Sequence, residues 1–186
     1  MKYVIALTLS IILFASCSPN REEAVQNIKA AEGNLYANEG AFMFNDSLAT
    51  ITLDAYLDFV KQFPKDTASA EYLFKAADLY RAKHDFESAI STFDRVGKEY
   101  PEYPKVPQTV FLQGFIYEND LKDLPKAKER YEYFIQQYPQ HQLARDVQFS
   151  LNNLGKTPEQ IIEEFQQMQA AQDSLSGAAT DTTLKQ

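Results

Sequence analysis

The sequence predicts an all-α fold, a right-handed α-solenoid of about three and a half helix-turn-helix repeats and roughly eight helices. Three observations carry that expectation. Aromatic–proline pairs recur at Phe63-Pro64, Tyr100-Pro101 and Tyr138-Pro139, 37 and then 38 residues apart. Between the first two pairs, Ala77 and Ala89 leave room for two antiparallel helices to approach, and Tyr80 and Phe93 fill the space beside them. No run of alternating β-branched residues competes with the helical pattern.

Residues 1–16 read as a targeting signal. Lys2 supplies a positive start, and Tyr3 to Ala15 form an apolar run of about a dozen residues, short of the ~20 that a spanning helix needs. Residues 17–22 are a tether and 23–168 the helical domain. The first helix is expected from Arg21 towards Met43, with Ala24, Val25, Ile28, Ala31, Leu35 and Tyr36 near helical spacing. Asp46 or Ser47 caps the second, which runs to about Gln62, and the third spans about Ser69 to Lys83. Asp85 caps the fourth, ending at Glu99; Lys105 to Asn119 is the fifth. Asp123 caps the sixth, with Pro125 tolerated in its first turn, where a missing N–H costs nothing. The seventh covers Leu143 to Leu154 and stops at Gly155. A capping box, Thr157-Pro158-Glu159-Gln160, opens the eighth, expected to end near Met168 and to bury Ile161, Ile162 and Phe165. Residues 169–186 lack aromatics and are rich in Ser, Ala, Thr, Asp and Gln, so a disordered tail is expected.

The repeats share one register. With Ala70 as position 1, Leu73 takes position 4, Ala76 and Ala77 take 7 and 8, and Tyr80 takes 11. Ala89, Phe93, Val96 and Pro101 then take 20, 24, 27 and 32. Downstream, Val110, Gly114 and Tyr117 match 4, 8 and 11; after one inserted turn residue, Ala127, Tyr131, Phe134 and Pro139 match 20, 24, 27 and 32. Upstream, Thr52, Tyr56 and Phe59 match 20, 24 and 27, and counting back places Tyr36, Gly40 and Met43 at 4, 8 and 11. The units so defined run over 33–64, 70–101, 107–139 and 145–168. This pattern resembles the tetratricopeptide repeat (TPR), with Leu73 for the usual Trp and Ala76 for the usual Leu.

The segment Leu13-Phe14-Ala15-Ser16-Cys17 ends in the chain's one cysteine and resembles the lipobox of bacterial lipoproteins. That resemblance implies acylation of Cys17, cleavage before it, and anchoring to a membrane. Ser18 after the cysteine resembles sorting to the outer membrane. Lipobox and repeats together are similar to TPR proteins of Gram-negative envelopes, among them those of the β-barrel assembly machinery and the Tol–Pal system. What this implies is an outer-membrane, lipid-anchored scaffold facing the periplasm, with other envelope proteins as partners. The alternative is a structural spacer, or an adaptor subunit of an import or secretion complex without a ligand groove of its own.

Net charge is −8, and no basic stripe exists to displace counterions from phosphates, so nucleic acid is not an expected partner. No catalytic constellation, phosphate loop or metal-ligand spacing is apparent, and neither a cofactor nor a small-molecule substrate is expected. His84 and His141 fall in turns and lack a second ligand at helical spacing. The TPR resemblance implies a concave face at positions 2, 5, 9, 12 and 13. Position 5 is Phe74, Phe111 and Phe149 in successive units, Phe115 and Asp78 hold position 9, and Arg81 and Glu118 hold position 12. These seven residues are the candidate protein-binding site. Whether the phenylalanines line an open groove or pack against neighbouring helices stays open at the level of sequence.

Overall fold

Turn chemistry sets where each helix starts. The computed structural model describes residues 20–37 and 45–183, with side chains as far as residue 172. Its helices are α1 (Arg21–Tyr36), α2 (Asp46–Gln62), α3 (Ser69–Ala82), α4 (Phe86–Glu99), α5 (Val106–Asn119), α6 (Leu124–Gln137), α7 (Ala144–Asn152) and α8 (Pro158–Thr183), with no strand among the described residues. Side-chain oxygens of Asn20, Asn45, Asp85 and Asp123 accept backbone N–H bonds in the first turns of α1, α2, α4 and α6. Asn45, not Asp46 or Ser47, is thus the cap of α2. The capping box of α8 closes in both directions: Gln160 N–H donates to Thr157 Oγ1 at 3.3 Å, and Thr157 N–H donates to Gln160 Oε1 at 2.8 Å.

The aromatic–proline pairs mark one recurring backbone turn. Asp66 N–H donates to Phe63 O and Ser69 N–H to Asp66 O. The same two bonds recur as Tyr103 to Tyr100 and Val106 to Tyr103, then as His141 to Tyr138 and Ala144 to His141. Pro64, Pro101 and Pro139 each sit second in the first of these turns, where a fixed φ suits the chain and no N–H is needed. Tyr100 ties two successive turns together by donating its hydroxyl to Pro64 O at 3.1 Å.

Packing follows the register. Each of α1 to α7 packs against its neighbours in sequence, the signature of an all-α helical-repeat solenoid. Ala77, Ala89, Phe93 and Val96 are fully buried, as are Thr52, Ala127, Tyr131 and Phe134. Three core clusters succeed one another along the stack, over α1–α3, α2–α5 and α5–α7. The inserted residue of the third unit lengthens its turn, where Lys122 adopts φ 56°; His84 at φ 60° stands at the matching place before the cap of α4. The seventh helix stops earlier than expected, at Asn152 with Asn153 as its C-cap, and Gly155 at φ 77° falls in the turn that follows.

Three further expectations are corrected. The first unit does not start at residue 33: α1 ends at Tyr36, which is half exposed, and the buried residues of α1 are Ile28 and Ala31. Gly40 and Met43 lie outside the described residues. Counting back from Pro64 assumed a constant turn length, whereas the connection here runs over residues 37–45. At the other end α8 continues to Thr183, so the chain expected to be a disordered tail is helical through that residue. Ala, Gln, Glu and Met are strong helix formers, and no proline interrupts the segment after Pro158. Of the apolar residues of α8 expected to be buried, Ile161 is half-buried, whereas Ile162 and Phe165 are more than half exposed, as is Met168. No described helix is long and apolar enough to cross a membrane. Cys17 and the signal lie outside the described residues.

Candidate protein-binding face

The position-5 phenylalanines each meet an aromatic ring from the helix that follows. Phe74 on α3 points its ring at Phe93 of α4, edge to face, with centroids 5.5 Å apart. Phe111 on α5 stacks on Tyr131 of α6 at 6.2 Å, and Phe149 on α7 stacks on Phe165 of α8 at 6.5 Å. The stripe is therefore first a packing device within each repeat.

Its exposure changes along the solenoid. Phe74 is 5% exposed, because the turn before α5 folds Tyr103 and Lys105 over it, the Lys105 Nζ lying 5.0 Å from the ring centroid. Phe74 is core, and its place in an open groove is withdrawn. Phe111 is half-buried, Phe115 is 37% exposed, and Phe149 is 47% exposed. Phe111 and Phe115 face each other at 6.3 Å. The apolar surface thus opens towards the C-terminal end.

The polar candidates divide in the same way. Asp78 and Arg81 form a loose pair at 3.8 Å, and burial pushes the Asp78 carboxyl up against the opposing pull of Arg81 and Lys105. Glu118 accepts the Tyr131 hydroxyl at 2.7 Å, which makes it a structural partner of α6. His84 packs its ring edge against Phe86, and His141 Nδ1 accepts the Leu143 N–H at 3.1 Å, so both histidines serve their turns. Among the described residues no cluster of His, Cys, Asp and Glu is placed to hold a metal ion.

Sequence reasoning missed a ladder of ion pairs that joins the first helix of one repeat to the next repeat, at α3 and at the turn before α5. Glu32 on α1 accepts from Lys75 Nζ at 2.7 Å and from the Tyr56 hydroxyl at 2.6 Å. Glu71 on α3 accepts from Lys105 Nζ at 2.9 Å and from the Tyr103 hydroxyl. The Lys75 ammonium also lies 5.8 Å from the Tyr56 ring centroid and 5.9 Å from that of Tyr72. The signal for half of it was present: Glu32 and Glu118 both accept a position-24 tyrosine, but only the corrected start of the first repeat puts Glu32 at position 12. A separate cleft of about 580 Å³ lies where α4, α5 and α6 meet. There the buried Gln113 donates to Ile90 O at 3.1 Å and to Asp94 Oδ1 at 2.8 Å.

The tetratricopeptide repeat family model matches residues 71–103 and 108–141. That match supports a TPR protein. Its two segments coincide with the α3–α4 and α5–α6 hairpins, starting one residue inside Ala70 and Pro107. No curated protein matches the chain. TPR units generally mediate protein–protein binding and are typically non-catalytic; of the exposed candidate phenylalanines, Phe115 of α5 lies within the matched residues and Phe149 of α7 lies beyond them.

Proposed function

We propose that this TPR protein is a non-catalytic scaffold of the bacterial envelope, held on the outer membrane through acylated Cys17 and binding other envelope proteins on its C-terminal concave surface. The observation that carries the binding reading is the exposure of Phe115 and Phe149 on the face whose first member, Phe74, is closed. Aromatic side chains left on a surface are what binding energy concentrates on. Lipidation is supported by the Leu13 to Cys17 segment, since each buried CH₂ adds about 0.8 kcal/mol and two or three chains give stable attachment. The facing of the anchored chain towards the periplasm, in outer-membrane assembly or maintenance, follows the same resemblance. A spacer or an adaptor in an import or secretion complex is the second reading, favoured by the closure over Phe74.

The test is a crosslinking pull-down of the intact lipoprotein from membranes, wild type against a Phe115→Ser/Phe149→Ser variant. Loss of a wild-type partner by a variant that still folds and still partitions into detergent supports the scaffold. Retention of every partner leaves the spacer.

A further inference from the structure

We infer that the edge of the solenoid formed by the inter-repeat turns 63–68, 100–105 and 138–143 is the surface that lies against the lipid headgroups. This rests on the reading that Cys17 is acylated, and it adds to that reading an orientation. Arg21 follows Cys17 by four residues, and an extended chain of that length spans about 14 Å at most. The slack is smaller still, because Asn20 is already engaged as the cap of α1.

The start of α1 is also clamped. Arg21 Nε donates to Asp66 Oδ2 at 2.5 Å and Arg21 Nη2 to Asp66 Oδ1 at 3.1 Å, a two-point grip that fixes direction as well as distance. The guanidinium lies 5.9 Å from the centroid of the buried Phe59 ring. Asp66 belongs to the α2–α3 turn, so the anchored end of the chain is tied to that turn. The Tyr100 bond to Pro64 ties the next turn to the same edge.

Two surfaces flank the start of α1, the groove lined by Ala24 and Asn27 and the turn edge bonded through Asp66, and they differ in charge. The groove on the outer flank of α1 and α2 presents Asp54 and Asp58, both exposed, which an anionic leaflet repels. The turn edge presents exposed Lys61 and Lys65 against exposed Glu22, Glu23 and Glu102, a smaller acidic excess than that of the groove, together with exposed Pro64, Pro101 and Pro139. With the turn edge down, the helices stand away from the membrane and the repeats run along it. Phe149 and Phe115 then lie about 8 and 14 Å along their helices from that edge, close to the bilayer surface. A partner reaching them approaches from the side, along the membrane.

The experiment uses the intact lipoprotein in phosphatidylethanolamine–phosphatidylglycerol vesicles that carry a headgroup quencher. Single fluorophores are placed at Thr67→Cys and Gln140→Cys on the turn edge, at Ala82→Cys and Asp120→Cys on the opposite edge, and at Asp58→Cys on the outer flank. The expected result is several-fold stronger quenching at Thr67 and Gln140 than at the other three. Uniform quenching, or the strongest quenching at Asp58, overturns the orientation while leaving the anchor standing, provided intact mass shows acyl chains and the protein floats with the vesicles. An unacylated chain that fails to float overturns both.

Discussion

The Tyr131 hydroxyl donates to Glu118 Oε2 at 2.7 Å, and Tyr56 makes the equivalent bond to Glu32 at 2.6 Å in the first repeat. In both, a position-24 tyrosine with a fully buried ring sends its hydroxyl to a position-12 carboxylate on the first helix of its own unit. The middle repeat has Phe93 and Arg81 at these places, and there the Arg81 Nε is buried without a hydrogen-bond partner. The latch closes the first and third hairpins, and the buried Phe93 ring stands in its place in the middle one. Tyr131→Phe should cost about 1.5–3 kcal/mol, the range for a hydrogen bond to a charged group. In a denaturant double-mutant cycle with Glu118→Gln, the two losses should be non-additive by at least about 0.5 kcal/mol. Simple additivity would mean that the pair contributes nothing as a pair.

Gly114 is where a side chain has no room. A Cβ there would lie 2.5 Å from Tyr131 Cε1 and 2.7 Å from Cδ1, and that ring is fully buried. The middle repeat accommodates Ala77 at the same position against the smaller Phe93. Gly114→Ala gains about 1 kcal/mol of helix propensity but forces the ring to move, which costs about 1–3 kcal/mol. A net loss is expected, read as a lower urea midpoint with an unchanged slope. A gain would show that the ring shifts freely.

These two residues also show what the sequence encodes and where it falls silent. Gly114, Ala77, Ala89 and Phe93 were legible because the alternation of small and large residues at fixed offsets is itself the instruction for two helices to touch. The turns were legible because proline after an aromatic residue recurs wherever the same pair of backbone bonds forms. Tyr36 was misplaced because the count back from Pro64 carried no information about the length of the connection over residues 37–45. Phe74 and Phe149 share a motif position and differ in exposure because the position names only a helix face. What covers that face comes from elsewhere: Tyr103 and Lys105 over Phe74, but the exposed Phe165 of α8 beside Phe149.

The ion-pair ladder should give the fold an acid limb. Burial would raise the Glu32 carboxyl, but the bonds from Lys75 and Tyr56 outweigh it and hold the group below the ordinary carboxylate range. Glu71 is likewise held down by Tyr103 and Lys105 against its own desolvation. A folded-state value below the unfolded one means that the contribution is complete above the unfolded value of about 4.3. It is lost as pH falls through the folded value. The urea midpoint should therefore fall below pH ~4. Glu32→Gln with Glu71→Gln should lower stability at pH 7 and flatten that decline. An acid limb of unchanged steepness in the double variant would place its origin in other carboxylates.

Phe74 and Phe115 provide the sharpest separation of packing from binding, because they sit on neighbouring first helices and differ in cover. Phe74 touches Phe93 and Tyr103, lies under Lys105 and is 5% exposed, so Phe74→Ser removes a core ring and leaves a cavity with a hydroxyl in it. The expected loss is about 3–5 kcal/mol. Phe115 is 37% exposed and its ring faces that of Phe111 at 6.3 Å on the same helix, so Phe115→Ser should cost well under ~1 kcal/mol. Urea unfolding of the two single variants measures both. The order of the losses is the decisive result. A cheap Phe74 would mean that Tyr103 and Lys105 swing clear and the groove extends over the whole solenoid. A costly Phe115 would mean that the ring supports α5, and the exposed surface available to a partner would then shrink to Phe149 and the apolar side of α8.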